Sequence, residues 1–342
     1  MKPFFYHDGR LAGNRGRIIR KILIAGIRVV VTAGLVWTLV VRFDLSRAAE
    51  IMGQASPPLL AGALVALAAA SVVAGLRWHL ILSAVAPSPG PGILLKVSFV
   101  GLFFNQVLPT GVGGDAVRAW RCSRLGIGLG TAIRSILLDR ACGYTVLVII
   151  YAAALPSLLK LLPEVRERAG VVAVLAAALV GLLALVSLDY LPRPLLGLRI
   201  IAPFAELSRE CRRLFTYPQR CGAVLSLSVL AILLSIIAFK LIGDAVGSRL
   251  SIGIWAMVVP PVAFIQLLPV SLAGWGVREM ALVVALGSFG VPAETALAIS
   301  VMMGFCLILL GLPGGLIWLA EWDISGSRPA PAVLAGKTGK RA

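Results

Sequence analysis

The sequence predicts an all-α polytopic membrane protein: six full spans and two re-entrant broken-helix elements, arranged as an inverted-topology repeat. Three observations carry that prediction. The 342 residues are 59% hydrophobic and only 14% charged, with a mean hydropathy of +0.96, whereas soluble domains carry about 25% charged residues. Six stretches, 22–41, 59–76, 135–156, 171–188, 221–240 and 294–320, approach the ~20 apolar residues that a helical crossing needs. Two glycine- and proline-containing interruptions, NQVLPTGVGGDAVRAW at 105–120 and IQLLPVSLAGWGVREM at 265–280, match at a constant offset of 160 residues. The matched pairs are Gln106/Gln266, Leu108/Leu268, Pro109/Pro269, Gly114/Gly274, Val117/Val277 and Arg118/Arg278.

In chain order, residues 1–21 form a basic cytoplasmic N-terminus. The apolar run Ile22 to Val41 is longer than a signal-peptide core and has no A-x-A site after it, so it reads as an uncleaved first span. Membrane repeat 1 covers 22–160 and repeat 2 covers 161–320, followed by a disordered cytoplasmic tail, 321–342. Adding 160 carries the second span onto the fifth and the third onto the sixth. The first maps onto the fourth after a shift of about ten residues, which a loop difference absorbs. Each half therefore reads span, span, broken element, span. Three crossings per half is odd, so the halves lie in opposite orientations, and a substrate site is expected near the midplane between them.

Charge sets the orientation. The segments 1–21, 77–134, 189–220 and 321–342 hold 22 Lys/Arg, against 6 in 42–57, 157–170 and 241–253. The positive-inside rule then places both termini in the cytoplasm. The same asymmetry accounts for most of the net charge of +17, so no nucleic-acid partner is expected. Five scattered cysteines, odd in number and without CxxC spacing, argue against a disulfide framework. His7 and His79 have no metal-ligand companions, and no metal or other cofactor is expected.

The interruptions carry the chemistry. Pro109 and Pro269 break helices, and Gly111, Gly113, Gly114, Gly274 and Gly276 permit turns that other residues resist. Irregular backbone at membrane depth must be buried in protein or line a wet cavity. The spacing predicts a re-entrant hairpin with a new helix starting near Asp115, its N-terminus presenting free N–H groups to an anion. Arg118 and Arg278 are the matched cations. An intramembrane arginine is costly, usually faces the bundle interior, and offers a fork suited to phosphate. Asp115 and Glu279 are placed to pair with them or to meet a cationic headgroup; the bland reading makes both arginines snorkelling residues on proline-kinked helices.

Other positions divide between site and scaffold. Asp139 and Arg140, in LLDRACGY, fit a local ion pair, an interface anchor or a binding site. Arg77, Trp78 and His79 close the second span and read as an aromatic-basic anchor. Lys96 reads as an interfacial lysine, and Glu294 as an acid favoured at a helix start. GIGLGTAIR at 126–134 lacks the strand and the GK[ST] of a phosphate loop. The connector 193–220 is basic and partly amphipathic, and it is expected to lie against anionic inner-leaflet lipids.

NQVLPTGVGGDAVR, LLDRACGY and LPVSLAGWGVRE resemble the signature stretches of the lysylphosphatidylglycerol synthase transmembrane-region family. These are flippase-like integral membrane proteins related to the membrane half of multiple peptide resistance factors, and the likeness covers roughly residues 20–320. The resemblance implies a lipid-translocating bundle of the cytoplasmic membrane that is not itself an enzyme. The aminoacyl-transferase domain of the larger relatives is expected to be absent. By motif it points to Asn105, Gly113, Gly114, Asp115, Arg118, Asp139, Arg140, Gly274, Gly276, Arg278 and Glu279 as headgroup contacts, with Pro109 and Pro269 as breakers. In the second half Ile265 and Trp275 replace Asn105 and Asp115, so the half-sites differ chemically. The expected function is transport of a phosphate-bearing lipid by alternating access. The alternatives are a glycosyl- or acyl-transferase using Asp115, Asp139 and His79 on a lipid carrier, or an accessory subunit of envelope-lipid biosynthesis. The partners expected beside the lipid are a second copy of the chain or a protein of that biosynthesis.

Overall fold

The computed structural model describes residues 43–108, 112–161, 165–190, 202–216, 218–266 and 276–325, together with Trp37 and Val41. The described residues contain eleven α-helices, one 3-10 turn (Leu188–Tyr190) and no strand. In order the helices are α1 Leu45–Gly53, α2 Pro57–Val85, α3 Pro91–Val107, α4 Gly113–Arg124, α5 Leu129–Leu161 and α6 Val165–Ser187. They continue with α7 Ala202–Thr216, α8 Pro218–Ala245, α9 Ile252–Ile265, α10 Val277–Gly287 and α11 Ala293–Ser325. Four of them, α2, α5, α8 and α11, are long and apolar enough to cross a membrane, and they contain four of the six expected spans. The 171–188 stretch falls within α6 up to Ser187, with Leu188 opening the 3-10 turn, while the 22–41 stretch lies outside the described residues except for Trp37 and Val41.

Local sequence explains the helix ends that matter. Ser56 precedes Pro57 and Pro58, which suit a first turn because its N–H groups have no helical partner. Leu108 ends α3 in an extended conformation (φ −82°, ψ 134°). That is the conformation a following proline imposes. The chain re-enters helix at Gly113, two residues ahead of the expected start. Asp115 lies in the first turn of α4 and Arg121 and Arg124 in its last, matching the helix dipole at both ends. α10 begins after Gly276 at φ 85°, a left-handed conformation that glycine adopts without strain.

The members of each broken element are short. α3 and α4 have 17 and 12 residues, α9 and α10 have 14 and 11. At about 1.5 Å per residue none reaches the ~30 Å thickness of a hydrocarbon core.

The packing of the two halves corresponds helix by helix. In the first, α2 packs on α3 and α5, α3 on α4, and α4 on α5. In the second, α8 packs on α9 and α11, α9 on α10, and α10 on α11. α2 and α8 run antiparallel along their lengths. The Ser56 N–H donates to the Ala245 carbonyl at 3.0 Å at one end, and Arg77 donates to Ser228 Oγ at 3.1 Å nearer the other.

Small residues let helices approach closely. A Cβ on Gly314 of α11 would lie 1.9 Å from the Phe99 carbonyl oxygen of α3. This is the close backbone packing by which membrane helices associate. The largest core unites α2, α5, α8, α9, α10 and α11 around Trp255, Ile236, Leu282 and Ile299. A smaller one, around Trp78, Leu94, Val97 and Cys122, lies beneath the first broken element.

The connector differs from expectation in one respect. Its described helix α7 buries Ala205, Leu207, Ser208 and Cys211. Arg134 of α5 donates to Glu206 at 3.0 Å and to Glu210 at 2.8 Å. The apolar face is therefore covered by the bundle rather than left for the leaflet.

Candidate functional site

Three elements converge on one charged cluster. α2 contributes Arg77 and Trp78, α5 contributes Asp139 and Arg140, and the α3–α4 pair contributes Asn105, Asp115 and Arg118. The pair is held as a tight hairpin: the Gly114 N–H donates to Asn105 Oδ1 at 2.9 Å. A Cβ on Gly101 would lie 2.7 Å from Arg118 Cγ, so the arginine side chain folds across a surface that only glycine leaves open.

The ion pairs form a chain. Arg77 Nε donates to Asp139 Oδ1 at 2.8 Å, and Arg118 Nη2 is 3.8 Å from Asp139 Oδ2. Arg118 Nη1 donates to Asp115 Oδ1 at 3.2 Å, while Arg140 holds Asp115 Oδ2 through Nε at 3.0 Å and Nη2 at 2.8 Å. The Arg118 guanidinium lies 4.0 Å from the Trp78 ring centroid, a cation–π contact. Trp78 in turn donates to Ser135 Oγ at 3.2 Å. Three guanidinium groups face two carboxylates, so the cluster carries a formal +1 at its centre.

This cluster lines a cavity of about 370 Å³. Ser98, Asn105, Arg118, Asp139, Arg140 and Tyr144 supply its polar wall, while Ala231 and Ser235 of α8 and Leu307 and Leu310 of α11 close it from the other half. Two atoms of its lining residues, Arg118 Nε and Ser98 Oγ, are buried and make no hydrogen bond among the described residues. Buried polar atoms are nearly always satisfied. An uncompensated positive charge, a free guanidinium donor and a free hydroxyl together fit an anion with several acceptor oxygens.

The structure brings Asn105, Asp115, Arg118, Asp139 and Arg140 together, with Gly113 and Gly114 buried at the hairpin crossing. The site departs from the sequence reading in three ways. The start of α4 does not offer all its N–H groups to a ligand, because Asn105 takes that of Gly114. Arg278 and Glu279 do not line the cavity; they form a separate buried cluster. There Arg278 donates to Glu279 Oε1 at 2.8 Å and to Ser300 Oγ at 3.1 Å, and Glu279 Oε2 accepts the Gly276 N–H at 2.6 Å. Pro109, Pro269 and Gly274 lie outside the described residues.

The third departure concerns Arg77 and Trp78, which are 7% and 0% exposed. They are not an interface anchor. α2 runs on to Val85, so both lie two turns inside the helix, and a buried arginine requires the carboxylate that Asp139 supplies. The hydrophobic run ends near residue 76, and the helix does not; only the length of the amphipathic continuation could have revealed this. His79 stands apart, its Nδ1 3.3 Å from Ser88 Oγ, away from the cavity.

Four apolar crossing helices around a charged, partly buried cavity define a multi-pass membrane protein. The chain matches the family model described as Lysylphosphatidylglycerol synthase TM region over residues 23–315, and it belongs to that family. A comparison with curated proteins finds no significant match.

Proposed function

We propose that this protein is a lipid flippase or transporter that moves a phosphate-bearing headgroup across the cytoplasmic membrane by alternating access between two inverted repeats. The observation that carries the reading is the cavity between the halves, whose polar wall has an excess of arginine and two unpartnered polar atoms. In this reading the phosphate meets Arg118 and Ser98, Arg140 covers the approach, and the acyl chains stay in lipid. Asp115 and Asp139 hold the arginines in place before the substrate arrives.

The antiparallel α2 and α8, related by the 160-residue offset, support an inverted repeat, since equivalent helices of oppositely oriented halves must run in opposite directions. The short paired helices support two re-entrant elements. In this reading the six apolar stretches make six crossings, and the charge asymmetry puts both termini in the cytoplasm. Arg278 stands at the position of Arg118 in the first half and Glu279 at that of Ala119, and in this reading the pair serves the state open to the opposite side.

A lipid-carrier transferase receives less support. Its acid–base set would need Asp115, Asp139 and His79 in one place, and His79 lies elsewhere while Arg118 bridges the two aspartates. The test is headgroup-labelled lipid translocation in proteoliposomes, with anionic, zwitterionic and cationic lipids compared. Arg118→Ala and Arg278→Ala, each confirmed folded by its melting curve, are expected to abolish movement. Unchanged rates in both, or no movement of any lipid by folded wild type, would overturn the proposal.

A further inference from the structure

A second groove lies apart from the central cavity, on the side of the bundle where α3 begins and α4 and α11 end. It encloses about 330 Å³, and Lys96, Trp120, Arg121, Arg124, Trp318 and Glu321 line it. Arg121 pairs with Glu321, and its guanidinium lies 4.8 Å from the Trp318 ring centroid. Trp120 and Trp318 flank one another, with ring centroids 5.7 Å apart. Glu321 is the sole carboxylate among the described lining residues, and Arg121 occupies it. Lys96 and Arg124, both exposed, therefore face the groove with no further acid among its described lining residues, which carry a formal charge of +2.

The repeat supplies an internal control. The 160-residue offset carries Lys96, Arg121 and Arg124 onto Ala256, Ala281 and Val284. Ala281 and Val284, with Met280 and Leu158, line a cavity of about 530 Å³ between the corresponding helices α5, α9 and α10, which α6 also closes through Val171 and Val174, and its walls are almost wholly apolar. A broken element thus packs beside a long helix here with no cation among the described lining residues. Orientation by the positive-inside rule needs basic residues on this side of the membrane, but it does not need three of them turned into one walled groove between two tryptophans.

We propose that this groove binds the phosphodiester of an anionic phospholipid from the adjoining leaflet. Lys96 and Arg124 hold the phosphate, and the two indoles lie at the boundary of headgroup and acyl chain, where tryptophan is favoured. The bound lipid joins α3 and α4 to the end of α11 and so braces the hairpin that carries Asn105 and Arg118. This site is distinct from the α7 connector and from the transported lipid, and it does not depend on transport.

The test uses the full chain in detergent, stripped of lipid, with phosphatidylglycerol, phosphatidylcholine or inorganic phosphate added, bound lipid being counted by native mass spectrometry. Wild type is compared with Lys96→Ala, Arg124→Ala and Arg209→Ala, the last removing an exposed charge from α7. Each groove substitution is expected to weaken phosphatidylglycerol binding about five-fold, the worth of one cation near an anionic surface. Arg209→Ala and phosphatidylcholine should show no such change, and Lys96→Arg should restore binding. Equal loss in Arg209→Ala, no loss in the groove variants, or full competition by inorganic phosphate would overturn the assignment.

Discussion

Gly114→Ala is the substitution whose consequence can be worked furthest from the geometry. The added Cβ would lie 2.0 Å from the Gly101 carbonyl oxygen and 2.5 Å from Asn105 Oδ1. Neither is the end of a long flexible side chain, so α3 and α4 must part. Overpacking of this kind costs about 1–3 kcal/mol, and stranding the buried Gly114 N–H costs a further ~1–3. The better helix propensity of alanine returns about 1 kcal/mol, leaving a net loss near ~3 kcal/mol. Gly92, in the first turn of α3, has nothing within 4 Å of an added Cβ and is the control. Thermal unfolding in detergent, followed by tryptophan fluorescence, should place Gly114→Ala several degrees below wild type and Gly92→Ala at or above it. The translocation rate should fall with Gly114→Ala even below its melting temperature, because the hairpin crossing positions Arg118. If Gly114→Ala melts within about a degree of Gly92→Ala and transports normally, the close crossing is wrong.

Further predictions concern the buried charges and the thiols. Asp139→Ala removes the carboxylate on Arg77 and is expected to destabilise by about 3–5 kcal/mol, while Arg77→Met with Asp139→Leu should cost much less; denaturant titrations separate the two. Glu279→Ala removes the carboxylate shared by Arg278, Ser300 and the Gly276 N–H and should cost a similar ~3–5 kcal/mol in the same titration. Burial pushes the Cys211 thiol up to about 11, so it stays protonated through pH 7–9. Maleimide should therefore modify half-buried Cys221 first and spare Cys211, and equal labelling of the two by peptide mass spectrometry would refute the docking of α7.

The breaks in the chain were legible because proline and glycine act locally. Leu108 is extended ahead of Pro109, Gly276 takes the left-handed turn, and α4 begins at Gly113. The paired arginines were legible as charges in an apolar setting, and Ile265 and Trp275 in place of Asn105 and Asp115 already marked the half-sites as unequal; which charges surround each arginine was not legible. Asp139 and Arg140 correspond to Ile299 and Ser300 at the 160-residue offset, and Arg77 to Ile237. The second arginine thus sits in a small cluster with Glu279 and Ser300, whereas the first belongs to a network of five charges. Arg77 and Asp139 are 62 residues apart, and Arg77 falls where the hydropathy signal stops. Pairing across two long helices depends on their register, and no local pattern reports that.

Cysteine accessibility at Ser98 tests alternating access most directly. Ser98 Oγ is buried on the cavity wall, and Ser98→Cys, with Cys122, Cys142, Cys211, Cys221 and Cys306 replaced, changes that wall little. A membrane-impermeant maleimide is applied to intact cells and, separately, to inside-out vesicles. Modification is expected from both sides, with glycerol phosphate slowing each reaction by occupying the anion site. Modification from one side alone, at a rate that glycerol phosphate leaves unchanged, would contradict alternating access.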